Sequence, residues 1–252
     1  MLIYGYLYLY LTLKVPHFIY KLFGSFYGYF ISSIEGTNEA LRIIQWEDYR
    51  LHLLQSSPYN DSNRLEKYGY KVYSQNDEDG IIAEIFNRIG ITNKIFVEFG
   101  VQNGLESNTH LLLLKDWKGL WIEGSESSCR EINVLFNEVI NGSHQLIVIN
   151  EFITKDNINE IIQSANITGE IDLLSIDIDG NDWHIFNEIS IVNPRVIVIE
   201  YNAKLPPDLE WVMPYNPSRM WDGSDYFGAS LKAIEKLAEK KDIHWLELIS
   251  QV

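Results

Sequence analysis

Hydrophobic positions along this chain switch between two periods. Short apolar-rich runs, each of strand length, occur at Ile95-Phe96-Val97, Leu120-Trp121-Ile122, Gln145 to Ile149, Ile171 to Ile178, Arg195 to Ile199 and Ile243 to Ile249. Apolar residues at helical spacing fill most of the gaps: Ile132, Leu135, Phe136, Val139 and Ile140; Ile158, Ile161, Ile162 and Ala165; Trp183, Phe186 and Ile189; Leu231, Ile234, Leu237 and Ala238. Ahead of the first strand, Ile82, Ile85, Phe86 and Ile89 form one more stripe, and Gly90 is a natural stop. Strands alternating with amphipathic helices predict an α/β fold, a mostly parallel sheet with helices on both faces. A long loop is predicted from Ala203 to Phe227, where Pro206, Pro207, Pro214 and Pro217 interrupt any regular element.

The first 31 residues follow neither period. Leu2 to Leu13 is an unbroken run of apolar, tyrosine, glycine and threonine residues, and Phe18 to Ile31 carries Lys21 as its only charge. Pro16 interrupts the pair, and the first run is too short to span a bilayer as a helix. No positive residue precedes it and no small-residue cleavage site follows, so a secretory signal is not predicted. Two readings stay open for this hydrophobic N-terminal arm. One is peripheral membrane contact through residues 1–31, with tyrosines at headgroup level; the other is packing on its own domain or on a second subunit. Thr37 to Leu54 reads as a helix with Leu41, Ile44 and Leu51 on one face, and Ser56 to Asn63 as a polar linker. The predicted organisation is therefore arm, helix and linker over 1–63, then one α/β domain over 64–252.

The chemistry concentrates in Lys94 to Gly124: strand, glycine-bearing loop, helix, strand, acid. Gly100 and Gly104 can take positive φ and carry no Cβ, so the loop backbone can approach a ligand closely. Glu123 closes the next strand, where a carboxylate can accept from both hydroxyls of a ribose. The spacing Gly100-x-x-x-Gly104 is not the dinucleotide fingerprint, and the loop has no lysine or arginine for phosphates. It opens on an acid, Glu98. A ligand with a ribose and a positive charge but no phosphate suits it, and S-adenosylmethionine fits.

Charge narrows the partners. The net charge of −15 argues against nucleic acid, which needs clustered lysine and arginine. The single cysteine, Cys129, leaves no internal disulfide, which is compatible with a reducing, cytoplasmic setting, membrane-associated if the arm is an anchor. Two further strand ends are acidic: Asp177 and Asp179 on one, Glu200 and Asn202 on the next. Like charges gathered at one sheet edge favour a cation, and oxygen-only ligands suit Mg²⁺ or Mn²⁺. Helix capping is the competing account for such acids, the one favoured for Asp77, Glu78 and Asp182. His110 and His184 are expected to pack rather than to react.

The segments YSQNDEDGI, FVEFGVQNGLESNT, GLWIEG, LLSIDIDGND, VIVIEYN and DYFGASLKAI together resemble the FkbM-type S-adenosylmethionine-dependent methyltransferases, in particular a subfamily seen with surface-glycan genes. The resemblance runs from about Lys67 to Lys241. It implies a Rossmann-like class I methyltransferase fold and O-methylation, often of a sugar or glycan. By similarity, Glu98, Gly100, Gly104 and Asn108 would line the methionine part of the cofactor, and Glu123 would hold the ribose. Gln75 and Asp79 would close over the cofactor, and Asp177 and Asp179 would face the methyl group and the acceptor. Asp179 is then the candidate base, unless a bound cation activates the hydroxyl. Members of the family usually continue through two strands after the last helix, where one is predicted here, and the hydrophobic arm is not a family feature.

Two other functions compete. Asp177-Ile178-Asp179 also reads as the metal-binding D-x-D of a glycosyltransferase, although the glycine loop and Glu123 suit an adenosine better than a diphosphate. A non-catalytic member that keeps the fold as a binding or scaffold protein is the second.

Overall fold

The computed structural model describes residues 37–243, except 39–40, 43, 46–47 and 58. The arm and most of the predicted last strand lie outside the described residues. The chain divides into two compact units, Met1–Asp61 and Ser62–Val252. In the first, the described residues between 37 and 54 are helical, and Leu41, Ile44 and Leu51 are exposed. Among the described residues no helix is long and apolar enough to cross a membrane.

The second unit is built on five strands: β1 (Ile95–Phe99), β2 (Lys118–Glu123), β3 (Leu146–Asn150), β4 (Gly169–Ile176) and β5 (Val192–Ile199). They are all parallel, in the order β3-β2-β1-β4-β5. This is the doubly wound, Rossmann-like order, in which the chain reverses direction across the sheet between β1 and β4. The helices are α1 (Glu78–Ile89), α2 (His110–Leu113), α3 (Glu126–Leu135), α4 (Ile158–Ser164), α5 (Asp182–Glu188) and α6 (Leu231–Lys240).

Alternation along the strands feeds two cores. Phe96, Trp121 and Leu173 join Ile82 and Phe86 of α1 and Ile132 of α3 on one face. Val97, Phe99, Leu120, Ile122, Leu174 and Ile176 join Ile158 and Ile162 of α4 and Ile185 of α5 on the other. Burial on both faces explains why β1, β2 and β4 read as runs of apolar residues rather than as alternation. Each large side chain so buried is worth about 1.5–3 kcal/mol, enough to fix strand register.

Several boundaries differ from the sequence expectation for local reasons. The helical stretch after Gly104 is only the four residues of α2. The stripe from Ile132 to Ile140 is broken: α3 ends at Leu135, and a π-helical turn, Glu138–Gly142, follows. Asp77 gives α1 no side-chain cap; Ser74 Oγ instead accepts from the Asp79 N–H at 3.1 Å. Strand β4 stops at Ile176, two residues early. The Asp182 carboxylate draws the chain into a turn there, accepting from Ile178 N and Gly180 N, each at 2.8 Å.

Candidate functional site

In an open parallel sheet, ligands bind outside the carboxyl ends of the strands, where the order reverses. The register brings the predicted residues to that edge. Phe99 pairs with Ile122 and Ile176, Ile176 with Ile199, and Glu123 with Asn150. Gly100, Glu123, Asp177 and Glu200 therefore stand side by side at strand ends. Two cavities of ≈ 420 and ≈ 360 Å³ open there, and Gln75, Gly100, Gln102 and Asp177 line both.

Gly100 has φ 72°, and a Cβ on it would overlap the carbonyl oxygen of Asp177. Gly104 has φ 79°, and a Cβ there would overlap the ring of Trp121. The two glycines thus seat the loop against β4 and over the core, respectively. Glu123 fixes the far side of the first cavity. Its Oε2 accepts from Gln102 N and its Oε1 from Ser125 N, each at 2.8 Å. Each oxygen accepts one of these bonds and keeps a further lone pair. A half-buried carboxylate of this kind, at the cavity wall, can accept from a diol.

The second cavity is lined by Glu98, Ser107 and Asn108. Glu98 is buried, with Oε1 accepting from Asn108 N (2.9 Å) and Ser175 Oγ (3.3 Å), and Oε2 from Thr109 N (3.1 Å) and Thr109 Oγ1. Burial pushes its pKa up, and these donors pull the other way. Asn108 is held by its Nδ2, which donates to Ser175 Oγ at 3.1 Å. Ser107 is buried, and its Oγ has no hydrogen-bond partner. A buried hydroxyl in a cavity wall with no protein partner can bond a polar ligand.

Gln75 and Asp79 separate in role. Gln75 lines both cavities, whereas Asp79 lines neither. Asp79 Oδ2 accepts from Val72 N, Tyr73 N and Ser74 N at 2.7, 2.6 and 2.9 Å, so Asp79 orders the turn that delivers Gln75.

Beyond the ends of β4 and β5, Asp177, Asp179 and Glu200 each bring a carboxylate oxygen within 4.8 Å of the others. Asp177 does so from the end of β4, and Asp179 from a left-handed turn with φ 57°, not from an extended strand. Glu200 Oε2 is buried and has no hydrogen-bond partner. Burial and the neighbouring acids push Asp177 up to about 7 and Glu200 up to about 10. Burial also raises Asp179. Asn202 is bonded to the loop that follows. Its Nδ2 donates to the carbonyls of Asp225 and Phe227 and its Oδ1 accepts from Lys204 N, so its amide orders the following loop. Both histidines pack. His110 stacks on Tyr73 at 3.8 Å between ring centroids, and His184 Nε2 lies 2.7 Å from the Met213 carbonyl.

The sequence reading passed over three groups in the cavity walls. Ser107 follows the loop glycines. Glu151, Phe152 and Ile153 follow β3 at the same sheet edge as Glu123, a position that the strand prediction alone could have flagged. Arg219, Met220 and Trp221 come from the long proline-bearing loop, whose path no periodicity reveals.

No family model matches the chain, and no curated protein matches it. Among solved structures, the N-terminal domain of EvdMO1 with SAH bound is similar at a TM-score of 0.32 and 16% identity, over 49% of this chain and 56% of that one. A candidate protein-L-isoaspartate O-methyltransferase (PCMT) from Plasmodium falciparum, in complex with S-adenosyl-L-homocysteine, is similar at a TM-score of 0.30 and 8% identity. That likeness covers 49% of this chain and 62% of the other. The chain thus spans less than two thirds of either structure. Its own strand order carries the fold assignment: a five-stranded parallel Rossmann-like sheet with helices on both faces.

Proposed function

We propose that the chain is an S-adenosylmethionine-dependent O-methyltransferase acting on a hydroxyl of a sugar or glycan. The observation that carries this reading is the pairing at the switch point of a glycine loop with an acid-lined cavity whose wall includes Glu123. Glu98, Glu123, Asp177, Asp179 and Glu200 line the two cavities, and Arg219 is the one basic residue among their lining residues. Such walls suit a ribose and a cationic sulfonium and ammonium, and they repel a diphosphate. This weighs against the glycosyltransferase alternative.

The residues fit that cofactor. The cradle at Gly100 would be filled by any side chain, and the Ser107 hydroxyl is left for a ligand. Glu123 would hold the ribose, with Phe152 beside it for the base. Gln75, Ser107, Asn108 and the Glu98-ordered loop would surround the methionine part. S-adenosylmethionine, when bound, supplies an electrophilic methyl carbon on sulfur. Holding an acceptor oxygen in line with it can be worth roughly 7–11 kcal/mol. In this reading Asp179 would take the hydroxyl proton, while Glu200, raised to about 10 by burial and the neighbouring acids, would keep its own. Three carboxylates so close also suit a hard divalent ion, Mg²⁺ or Mn²⁺, which would lower the hydroxyl pKa; this second reading rests on their 4.8 Å convergence. The test is methyl transfer from labelled cofactor to a panel of sugars and glycans. Label appearing in a glycan supports the reading. Tight cofactor binding with no transfer to any acceptor favours the non-catalytic alternative.

A further inference from the structure

The wall facing the carboxylates is a built platform. Asn181 Nδ2 anchors the loop by donating to the Asn216 carbonyl at 2.8 Å. The Arg219 guanidinium donates to the Tyr226 carbonyl at 2.9 Å and to both oxygens of Asp222 at 3.3 and 3.4 Å. Asp222 in turn accepts from Ser224 N at 3.0 Å and Ser224 Oγ at 2.6 Å. Trp221 Nε1 donates to the Ser224 carbonyl at 3.1 Å. The indole's single polar group is therefore satisfied inside its own loop, and its orientation is fixed. What remains is apolar ring surface, 57% exposed, beside Met220 at 75%, both lining the larger cavity. A large ring held in place and left in water is an unmet apolar contact.

We propose that Trp221 is the acceptor-recognition residue: its ring seats the C–H face of a neutral pyranose, whose hydroxyl edge is held by Asp177, Asp179 and Glu200. This rests on the O-methyltransferase reading above. A sugar has the required two-sided chemistry, an apolar face for the indole and hydroxyls that donate to carboxylates. A hydroxyl can also accept, which serves Arg219 Nε, buried and without a partner. An anionic sugar is disfavoured, because Arg219 already pairs with Asp222 and the facing wall carries Asp177, Asp179 and Glu200. An amine acceptor is disfavoured differently. The carboxylates would hold it as an ammonium, with no lone pair for the methyl group.

The experiment uses the full chain saturated with S-adenosylhomocysteine and saturation-transfer NMR. The probes are methyl glycosides of glucose, galactose, mannose and fucose, with glucuronic acid and glucosamine as charged counterparts. Calorimetry of the cofactor product is run on every variant. The expected result is ring C–H saturation of at least one neutral glycoside and none of the charged sugars. Trp221→Ala should weaken that signal about tenfold, Trp221→Phe should retain most of it, and product affinity should stay the same in both. Neutral-glycoside signal undiminished in Trp221→Ala overturns the proposal. So does preferential binding of a charged sugar, or no sugar binding by a protein that does bind the cofactor product. Failure to bind that product at all overturns instead the reading on which the proposal rests, and the proposal with it.

Discussion

Gly100 stands so close to Asp177 that a Cβ on the glycine would overlap the Asp177 carbonyl oxygen. The contact joins the loop after β1 to the turn after β4 across the point where the sheet reverses order. Gly100→Ala must either push these segments apart or force alanine to hold φ near 72°. We expect a stability loss of about 1–3 kcal/mol and a larger proportional loss of cofactor affinity. Thermal melts and calorimetry measure both. An alanine variant with wild-type affinity would show that the close approach does not shape the cavity.

Glu123, which would hold the ribose in the proposed function, bridges Gln102 N and Ser125 N. Glu123→Gln keeps the shape, removes the charge and turns an amide N–H₂ toward one of those donors. Cofactor binding should weaken by about 1–3 kcal/mol, the range for a charged hydrogen bond. Calorimetry on the folded variant reads this directly, and unchanged affinity would remove Glu123 from the site.

The carboxylate cluster predicts an unusual pH dependence. Folding raises the pKa of Asp182 to about 6, Asp177 to about 7 and Glu200 to about 10. A carboxyl raised by folding contributes most below its unfolded value near 4, and that contribution is lost as pH rises through the folded value. Between about pH 7 and 9 the unfolded chain has an ionised Glu200 and the folded chain a protonated one. Stability should fall by on the order of 1 kcal/mol per pH unit for that one proton. His110, lowered by burial, acts in the opposite sense, but only below the ordinary imidazole range near 6.5. In metal-free buffer the melting temperature should decline across that window, and Glu200→Gln should flatten the decline. A rising wild-type profile would contradict the assignment of the buried proton.

Divalent ions provide a separate test of the same three side chains. An ion must displace the protons that the raised Asp177 and Glu200 carboxyls hold, so it binds better as pH rises. Mg²⁺ or Mn²⁺ should raise the melting temperature more at about pH 8 than at about pH 6, EDTA should reverse it, and Asp179→Asn should abolish it. A melting temperature indifferent to both ions would leave the cluster with its protons alone, and Asp179 as the base.

Particular residues show what the sequence could and could not reveal. The runs around Phe96, Trp121 and Leu174 named the strands because both sheet faces are buried there, and residues such as Gly100 and Glu123 could be placed because they follow those strands directly. For Asn202 the alternation stops at Ile199, where the strand ends, and the amide bonds the following loop. Asp179 reached the cluster by a left-handed turn that period-two reasoning cannot see. Asp79 Oδ2 orders three backbone N–H groups of the preceding turn, a role that the sequence pattern does not show. Ser107 and Trp221 went unnoticed because their roles depend on long-range packing and on loop path, which leave no periodic trace.

The most direct test of the central claim is calorimetric titration of the full chain with S-adenosylmethionine, S-adenosylhomocysteine and a uridine-diphosphate sugar. The account predicts one-to-one binding of the first two, weakened in Glu123→Gln, and no heat from the sugar nucleotide. Binding of the sugar nucleotide by a folded chain that ignores both adenosyl compounds would contradict it.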